Sequence, residues 1–171
     1  MVLTASPWGL GGVLIIDDVP VEYFSSPTSA ADAAHLGIPL TRDSKCQQAF
    51  EALAVLVALR HWRYHWQRTR CVITCGSDNI AALSIVCKLQ PKSGSLNAVA
   101  REIALDIAAG VYQPQIATHI PGIANVAPDL LSRWDQPGHK RILPAALTNA
   151  TMVTLAPRDE NFWKASSPPP R

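Results

Sequence analysis

Three acidic residues stand apart from other charges, each where a predicted helix or strand begins or ends. Glu51 lies in the first turns of a long predicted helix, Asp78 follows a short apolar run, and Asp129 opens the last predicted helix. Hydrolysis of a phosphodiester at neutral pH is favoured by two divalent metal ions about 3.5–4 Å apart, held by carboxylates. A single acid in a first helical turn is more often a partner of the helix dipole, but three acids at element ends together indicate a metal site.

Asp78 lies at a junction between a strand and a helix. Residues 71–75 form a β-branched, apolar run typical of a buried strand, which Gly76 and Ser77 end before a helical segment at Ile80–Val86. In open α/β sheets the carboxyl edge of the strands is where ligands bind. Taken alone, the junction is explained better by Asp78 or Ser77 as a helix N-cap. The other two acids shift the balance towards a site.

The remaining elements predict a mixed sheet flanked by helices, with antiparallel strands first and parallel βα units after them. The order begins with a hairpin and ends with a helix. The predicted elements are strands at Met1–Ala5, Gly11–Asp17 and Val21–Ser25, a helix from a capping box at Ser44 to about Trp66, a helix at Leu96–Ala109 capped by Ser95 and stopped by Gly110, a strand at Gln113–Ile120, and a helix from an Asn125 cap to near Arg133.

Composition limits the possible classes of protein. The 171 residues carry a net charge of only +2, so contact with a polyanion requires a local basic patch. That patch is predicted at the end of the long helix and beyond it, at Arg60, Arg63, Lys88 and Lys92, although cations there also suit the helix dipole. The chain has neither a run of about eighteen apolar residues nor a charged leader, and its four cysteines form no CxxC pair. We therefore expect an intracellular protein, in the cytoplasm or nucleus, that does not enter membranes.

Several phrases of the sequence resemble the ribonuclease H domains of retroelement reverse-transcriptase polyproteins. They are Ser6-Pro-Trp-Gly-Leu-Gly11, Glu51-Ala-Leu-Ala54, Ser77-Asp-Asn79, and His119-Ile-Pro-Gly122 followed by Asn125-Val-Ala-Pro-Asp-Leu-Leu-Ser-Arg133. The resemblance covers residues 1 to about 134, and the last phrase is the most specific. It implies a five-stranded ribonuclease H-like α/β domain at 1–134 and a partly disordered extension at 135–171.

The resemblance also implies a function and a site. Glu51, Asp78 and Asp129 would bind two Mg²⁺ or Mn²⁺ ions, and His119 would aid product release or proton transfer, with Asn125 supporting it. His119 could equally be a structural histidine at a strand end, and Asn125 a helix cap. The expected activity is hydrolysis of the RNA strand of RNA–DNA hybrids. The expected partners are such hybrids or another nucleic acid, and other domains of a reverse-transcriptase polyprotein.

One position departs from the family pattern. The phrase Leu3-Thr4-Ala5-Ser6 has Thr4 where the family carries the Asp that bridges both metals. A neutral hydroxyl supplies no charge, so binding of the second metal is doubtful and activity should be weak or absent. The domain is then either a decayed enzyme or a truncated reading frame.

Two other classes of function were weighed beside this one. The first is a non-catalytic module with the same fold that binds nucleic acid or protein. The second is a nucleotide-binding α/β domain of another kind, which is disfavoured because no glycine-rich loop precedes a helix.

Overall fold

The computed structural model describes residues 1–39, 44–66, 73–79, 83, 88–89, 93–110, 114–120 and 125–165. The strands are β1 (Val2–Ala5), β2 (Gly9–Ile16), β3 (Val19–Pro27), β4 (Ile73–Ser77), β5 (Pro114–His119) and β6 (Thr151–Met152). The helices are α1 (Ala30–Leu36), α2 (Ser44–His61), α3 (Gly94–Ala108) and α4 (Val126–Ser132), with 3₁₀ turns at Trp62–His65 and Ala145–Leu147.

Within the described residues, the six strands form one mixed sheet in the order β5-β4-β1-β2-β3-β6. The β1, β2 and β3 strands pair antiparallel, whereas β1 pairs parallel to β4 and β4 parallel to β5. The predicted fold class, an antiparallel hairpin followed by parallel strands with flanking helices, is confirmed. The sixth strand, β6, was not predicted; it comes from the C-terminal extension and pairs parallel to β3.

The hairpin between β2 and β3 turns on Asp17 and Asp18, and β3 begins at Val19, before the predicted strand start at Val21. The φ values of Asp17 and Asp18, 50° and 62°, are those of a two-residue turn that matches the twist of the flanking strands. On one face of the hairpin, α4 lies very close to β2: a Cβ placed on Gly11 would be 2.2 Å from the carbonyl oxygen of Pro128. Glycine at this position therefore sets the distance between helix and sheet.

Helix α2 forms the centre of the core. Apolar side chains at helical spacing from Phe50 to Trp62 are buried, and Val55, Leu56 and Leu59 on the other sides of the helix are buried as well. A helix that is buried all round must be covered on several sides. It packs on β1 and β2, on α3, and beneath the C-terminal segment that includes Trp163.

The C-terminal extension packs on the domain as far as the structure describes it. The Arg158 guanidinium forms an ion pair with the fully buried Asp32 of α1, at 2.8 Å. The indole of Trp163 stacks on His35 with ring centroids 4.7 Å apart, and only 8% of Trp163 is exposed. Residues 166–171, predicted to have no core-forming power, lie outside the described residues.

Several element boundaries differ from the predicted ones. The central strand continues through Gly76 and Ser77, which do not break it. The N-cap of α3 is Ser93 and not Ser95, since the Ser93 hydroxyl accepts a hydrogen bond from the Leu96 amide. The C-terminal stop at Gly110 is confirmed by its φ of +68°. Most of the helix predicted at Ile80–Val86 lies outside the described residues, as does the side chain of Ser44.

None of the helices in the described ranges combines the length and apolar character needed to cross a bilayer.

Candidate carboxylate site at the sheet edge

The short strand β1 is held by side chains from two helices at three consecutive residues. The Asn125 Nδ2, at the start of α4, donates to the carbonyl oxygen of Leu3 at 3.2 Å. The next residue, Thr4, donates its hydroxyl to Glu51 Oε1 of α2 at 3.1 Å. The amide of Gln47, one turn earlier on α2, donates to the carbonyl oxygen of Ala5. The position of Thr4 is therefore fixed from both sides of the sheet.

Glu51 is a buried carboxylate with unequal oxygens. Its Oε1 accepts from both Thr4 and Gln47, each at 3.1 Å, whereas Oε2 is buried and has no hydrogen-bond partner among the described residues. Burial is the largest cause that raises the pKa of Glu51, to about 7, opposed by a backbone interaction with Ala5. The negative charge of Asp78 raises this pKa further. The two carboxylates are therefore near enough to interact.

Asp78 follows the last residue of β4 and is exposed. Val2 pairs with Gly76 in the parallel register of β1 and β4, and a continuation of this register by two residues would bring Thr4 level with Asp78. The Ser77 Oγ accepts from the Asn79 amide at 3.1 Å. The predicted helix that either residue would cap lies mostly outside the described residues.

Asp129 differs from the other two acids because it forms an ion pair with a basic side chain. Both of its oxygens accept from the guanidinium of Arg133, four residues later, at 2.9–3.0 Å. The pair is partly exposed, with 42% of the Asp129 side chain and 39% of the Arg133 side chain accessible. The hydrogen bond to Asp129 is the largest cause that raises the pKa of Arg133.

The remaining residues implied by the resemblance lie around the same edge. His119 is exposed and pairs in register with Ser77, next to Asp78. Asn125 is buried but does not cap α4 through its side chain, which donates to Leu3 instead. Its Oδ1 is buried and has no partner within the described ranges.

The residues of the predicted basic patch differ in their exposure and in their hydrogen-bond partners. The guanidinium of Arg60 is bound by Glu102 and Asp106 of α3, both at 2.7 Å, and by the carbonyl oxygen of Phe162. With 12% of its side chain exposed and four of its five N–H groups donating within the described residues, Arg60 offers little of its guanidinium to a phosphate. Arg63 and Lys88 are exposed, and Lys92 lies outside the described residues.

Sequence reasoning missed two residues of this site. Gln47 lies one turn before Glu51 and Arg133 one turn after Asp129, so each pair has the i, i+4 spacing at which helical side chains meet. That spacing was the available signal for both. Gln47 donates to one oxygen of Glu51, and Arg133 donates to both oxygens of Asp129.

Of the three carboxylates, only Glu51 and Asp78 have oxygens that suit a divalent cation. The Oε2 of Glu51 is buried and unpartnered among the described residues, and Asp78 interacts electrostatically with the same carboxyl, so both supply oxygens of the type that Mg²⁺ prefers. Asp129 does not fit equally well because Arg133 already neutralises it. Among the residues that the structure describes, no three His, Cys, Asp or Glu side chains are close enough to hold a metal together.

Comparison with known proteins does not assign the chain to a family. No protein-family model matches the chain, and no curated protein matches it significantly.

Proposed function

We propose that this chain is a ribonuclease H-like domain of a retroelement reverse transcriptase that binds RNA–DNA hybrids and hydrolyses them poorly. The intact activity would be metal-dependent cleavage of the RNA strand. The impairment is attributed to Thr4, which lies where a carboxylate bridging two metals would be needed.

One observation carries the proposal: the Thr4 hydroxyl donates to Glu51, and the charge of Asp78 acts on that same Glu51 carboxyl. A carboxylate at position 4 would therefore add its charge directly beside Glu51, whereas a hydroxyl brings none. The order of the six strands supports the same assignment, since it agrees with the fold that the sequence phrases imply.

The chemistry follows from the residues at this edge. A divalent cation bound by Glu51 and Asp78 would supply charge stabilisation for the phosphate oxygens. Glu51 accepts two hydrogen bonds that fix its orientation, and Asp78 is exposed, so a substrate could reach it. His119 lies at the adjacent strand end, where an imidazole could exchange a proton with a departing group.

Hybrid cleavage by three forms of the full chain tests this proposal: the unmodified chain, Thr4→Asp, and Thr4→Asp combined with Asp78→Asn. In Mg²⁺ and in Mn²⁺ we expect cleavage by the single variant alone. The gain should be several orders of magnitude, since phosphoryl transfer depends mainly on positioning and charge stabilisation. Strong cleavage by the unmodified chain that survives Asp78→Asn would contradict the site.

A second candidate is a non-catalytic hybrid-binding module with the same fold. The ion pair between Arg133 and Asp129 favours it, because that pair withholds one more carboxylate from any metal. Binding of a labelled hybrid in EDTA, with no cleavage by the Thr4→Asp variant in either metal, would support this candidate over the first. Absence of hybrid binding at low salt would contradict both.

A further inference from the structure

We infer that a cavity at the amino edge of the sheet binds an uncharged, planar heteroaromatic ring, that of a nucleobase or a nucleoside. The amino edge is the one at which the parallel strands β1 and β4 begin, so it lies opposite the carboxylates beside Asp78. The inference goes beyond the proposed function, because it involves neither a metal nor the cleavage of a hybrid.

The cavity has the size and the walls of a small-molecule site. It measures about 360 Å³ and lies between the end of β2, the start of β4 and the 3₁₀ turn after α2. Its apolar wall includes Leu14 and Ile73, which are buried, and Ile16, which is 40% exposed. Ligand pockets measure roughly 300–1,000 Å³ and combine mostly apolar walls with a few polar groups. The buried walls and the exposed Ile16 together describe a cavity that solvent can reach.

The indole of Trp66 supplies an unused hydrogen-bond donor beside this cavity. Trp66 lines the cavity and is only 8% exposed, and its Nε1 is buried without a hydrogen-bond partner among the described residues. The buried indole of Trp62 also has no partner within the described ranges, but Trp62 does not line the cavity. A buried N–H without an acceptor is costly. A ring nitrogen or a carbonyl oxygen of a ligand would satisfy the donor of Trp66.

The imidazole of His65 gives the cavity a flat aromatic wall. His65 lines the cavity, and its ring lies 4.3 Å from that of Tyr64, between centroids, with a tilt of 34°. Glu22 contacts both side chains: it accepts from the Tyr64 hydroxyl at 2.5 Å and lies 3.5 Å from the His65 Nε2. Planar rings stack on aromatic surfaces of this kind. The wall is therefore oriented before a ligand arrives.

The charges around the cavity favour an uncharged ligand over a phosphorylated one. No lysine or arginine among the described residues lines the cavity. Asp17, exposed at the hairpin turn, contributes a carboxylate, whereas the amino group of Met1 already donates to the Thr74 carbonyl oxygen at 2.8 Å. A phosphate would meet a carboxylate here without an arginine or lysine to bind it. Asp17 instead suits an exocyclic amine or a sugar hydroxyl, each of which donates to a carboxylate.

The test is isothermal titration of the full chain with adenosine and with cytidine, in EDTA. Both nucleosides carry ring acceptors for the Trp66 indole and an exocyclic amine for Asp17. We expect at least one of them to bind at a single site. Ribose, which has no ring to stack, should not bind, and AMP should bind no more tightly than adenosine.

Three variants of the cavity wall locate the bound ring. Trp66→Phe keeps an aromatic ring but removes the donor, so affinity should fall by about 3- to 10-fold, the value of one neutral hydrogen bond. Ile16→Trp enlarges an exposed wall residue and should abolish binding. Val19→Trp is the matched control, because Val19 pairs with Ile16 in the hairpin and is 58% exposed but does not line the cavity. Its affinity should equal that of the unmodified chain, and melting temperatures would show that each variant folds.

Competition with single-stranded oligoadenylate distinguishes the two sources of such a ring. Displacement of adenosine by oligoadenylate, lost in Ile16→Trp, would assign the cavity to a base of a nucleic acid, and adenosine binding without competition would assign it to a free nucleoside. Three results would overturn the inference: no binding of either nucleoside at millimolar concentration, AMP binding more than about tenfold tighter than adenosine, or equal affinities in Ile16→Trp and Val19→Trp. Hybrid cleavage by the Thr4→Asp variant tests the proposed function separately, so failure of one proposal leaves the other standing.

Discussion

Replacing Glu51 with glutamine should change how the stability of the protein depends on pH. The folded-state pKa of Glu51 is about 7, above its ordinary value of 4.5, mainly because the carboxyl is buried. The folded protein therefore holds the proton more tightly than the unfolded chain. Stability from this group is present below the unfolded pKa and is lost as the pH rises through the folded one. Glutamine cannot ionise, so the stability of the variant should not fall in this way as the pH rises.

The size of the effect follows from the pKa difference. Each pKa unit corresponds to about 1.4 kcal/mol, so the rise from 4.5 to about 7 costs roughly 3 kcal/mol when Glu51 is fully ionised. Most of this cost, about 2.5 kcal/mol, develops between about pH 5 and pH 8. Relative to the variant, the unmodified protein should lose that amount of stability over this interval.

The assay is urea unfolding of both proteins at about pH 5 and pH 8, in EDTA so that no cation compensates the charge. The difference between the two proteins at the two pH values is the measured quantity, because the other ionisable groups largely cancel. Asp78→Asn is the control and should reduce the pH effect, since the Asp78 charge raises the Glu51 pKa. A difference between the proteins that does not change with pH would refute the reasoning.

Three other outcomes are expected. Gly11→Ala should lower the free energy of unfolding by about 1–3 kcal/mol, because its Cβ would meet the Pro128 carbonyl oxygen at 2.2 Å; unchanged urea midpoints would contradict this close approach. Arg158→Leu should cost about 3–5 kcal/mol by leaving the buried Asp32 carboxylate without its cation, and adding Asp32→Asn should recover part of that loss; an Arg158→Leu midpoint equal to that of the unmodified protein would argue against a buried pair. Arg63→Gln and Lys88→Gln should each reduce the slope of log hybrid affinity against log salt by about one, and unchanged slopes would remove both residues from the interface.

The fold could be predicted because its signals are local. The apolar runs, the turn at Asp17 and the stop at Gly110 each depend on a few neighbouring residues, and the structure agrees with them. The boundaries at Ser77 and Ser93 were harder to place. Strand pairing extends β4 to Ser77, and the choice between Ser93 and Ser95 depends on which hydroxyl faces the Leu96 amide.

The packing of the C-terminal segment could not be predicted from its composition. Residues 135–165 contain three prolines among mixed polar and apolar residues, and this pattern gives no clear signal for a helix or a strand. A few side chains nevertheless attach it: Arg158 at Asp32, Trp163 on His35, and Lys164 at Asp106. Each anchor joins residues more than fifty positions apart, and a single sequence carries no signal for such pairs.

The carboxylate site could be predicted in part, unlike the C-terminal packing, but less fully than the fold. The element-end positions of Glu51, Asp78 and Asp129 were visible in the sequence, but the state of each carboxylate depends on its neighbours. Burial leaves Glu51 without a cation, while an arginine one turn away neutralises Asp129. The sequence therefore identified the three acids, but it could not show whether their oxygens were available to a metal.

Strand β1 explains why one residue of this site can be changed without rebuilding the rest. The carbonyl oxygens of Leu3 and Ala5, on either side of Thr4, are already bound by Asn125 and Gln47. Neither bond involves the Thr4 side chain, so both can persist when that side chain is replaced. An aspartate at position 4 would then be held against Glu51, where its charge would raise the cost of a metal-free site. The Thr4→Asp variant should consequently be less stable in EDTA, and added Mg²⁺ should restore its stability more than that of the unmodified chain.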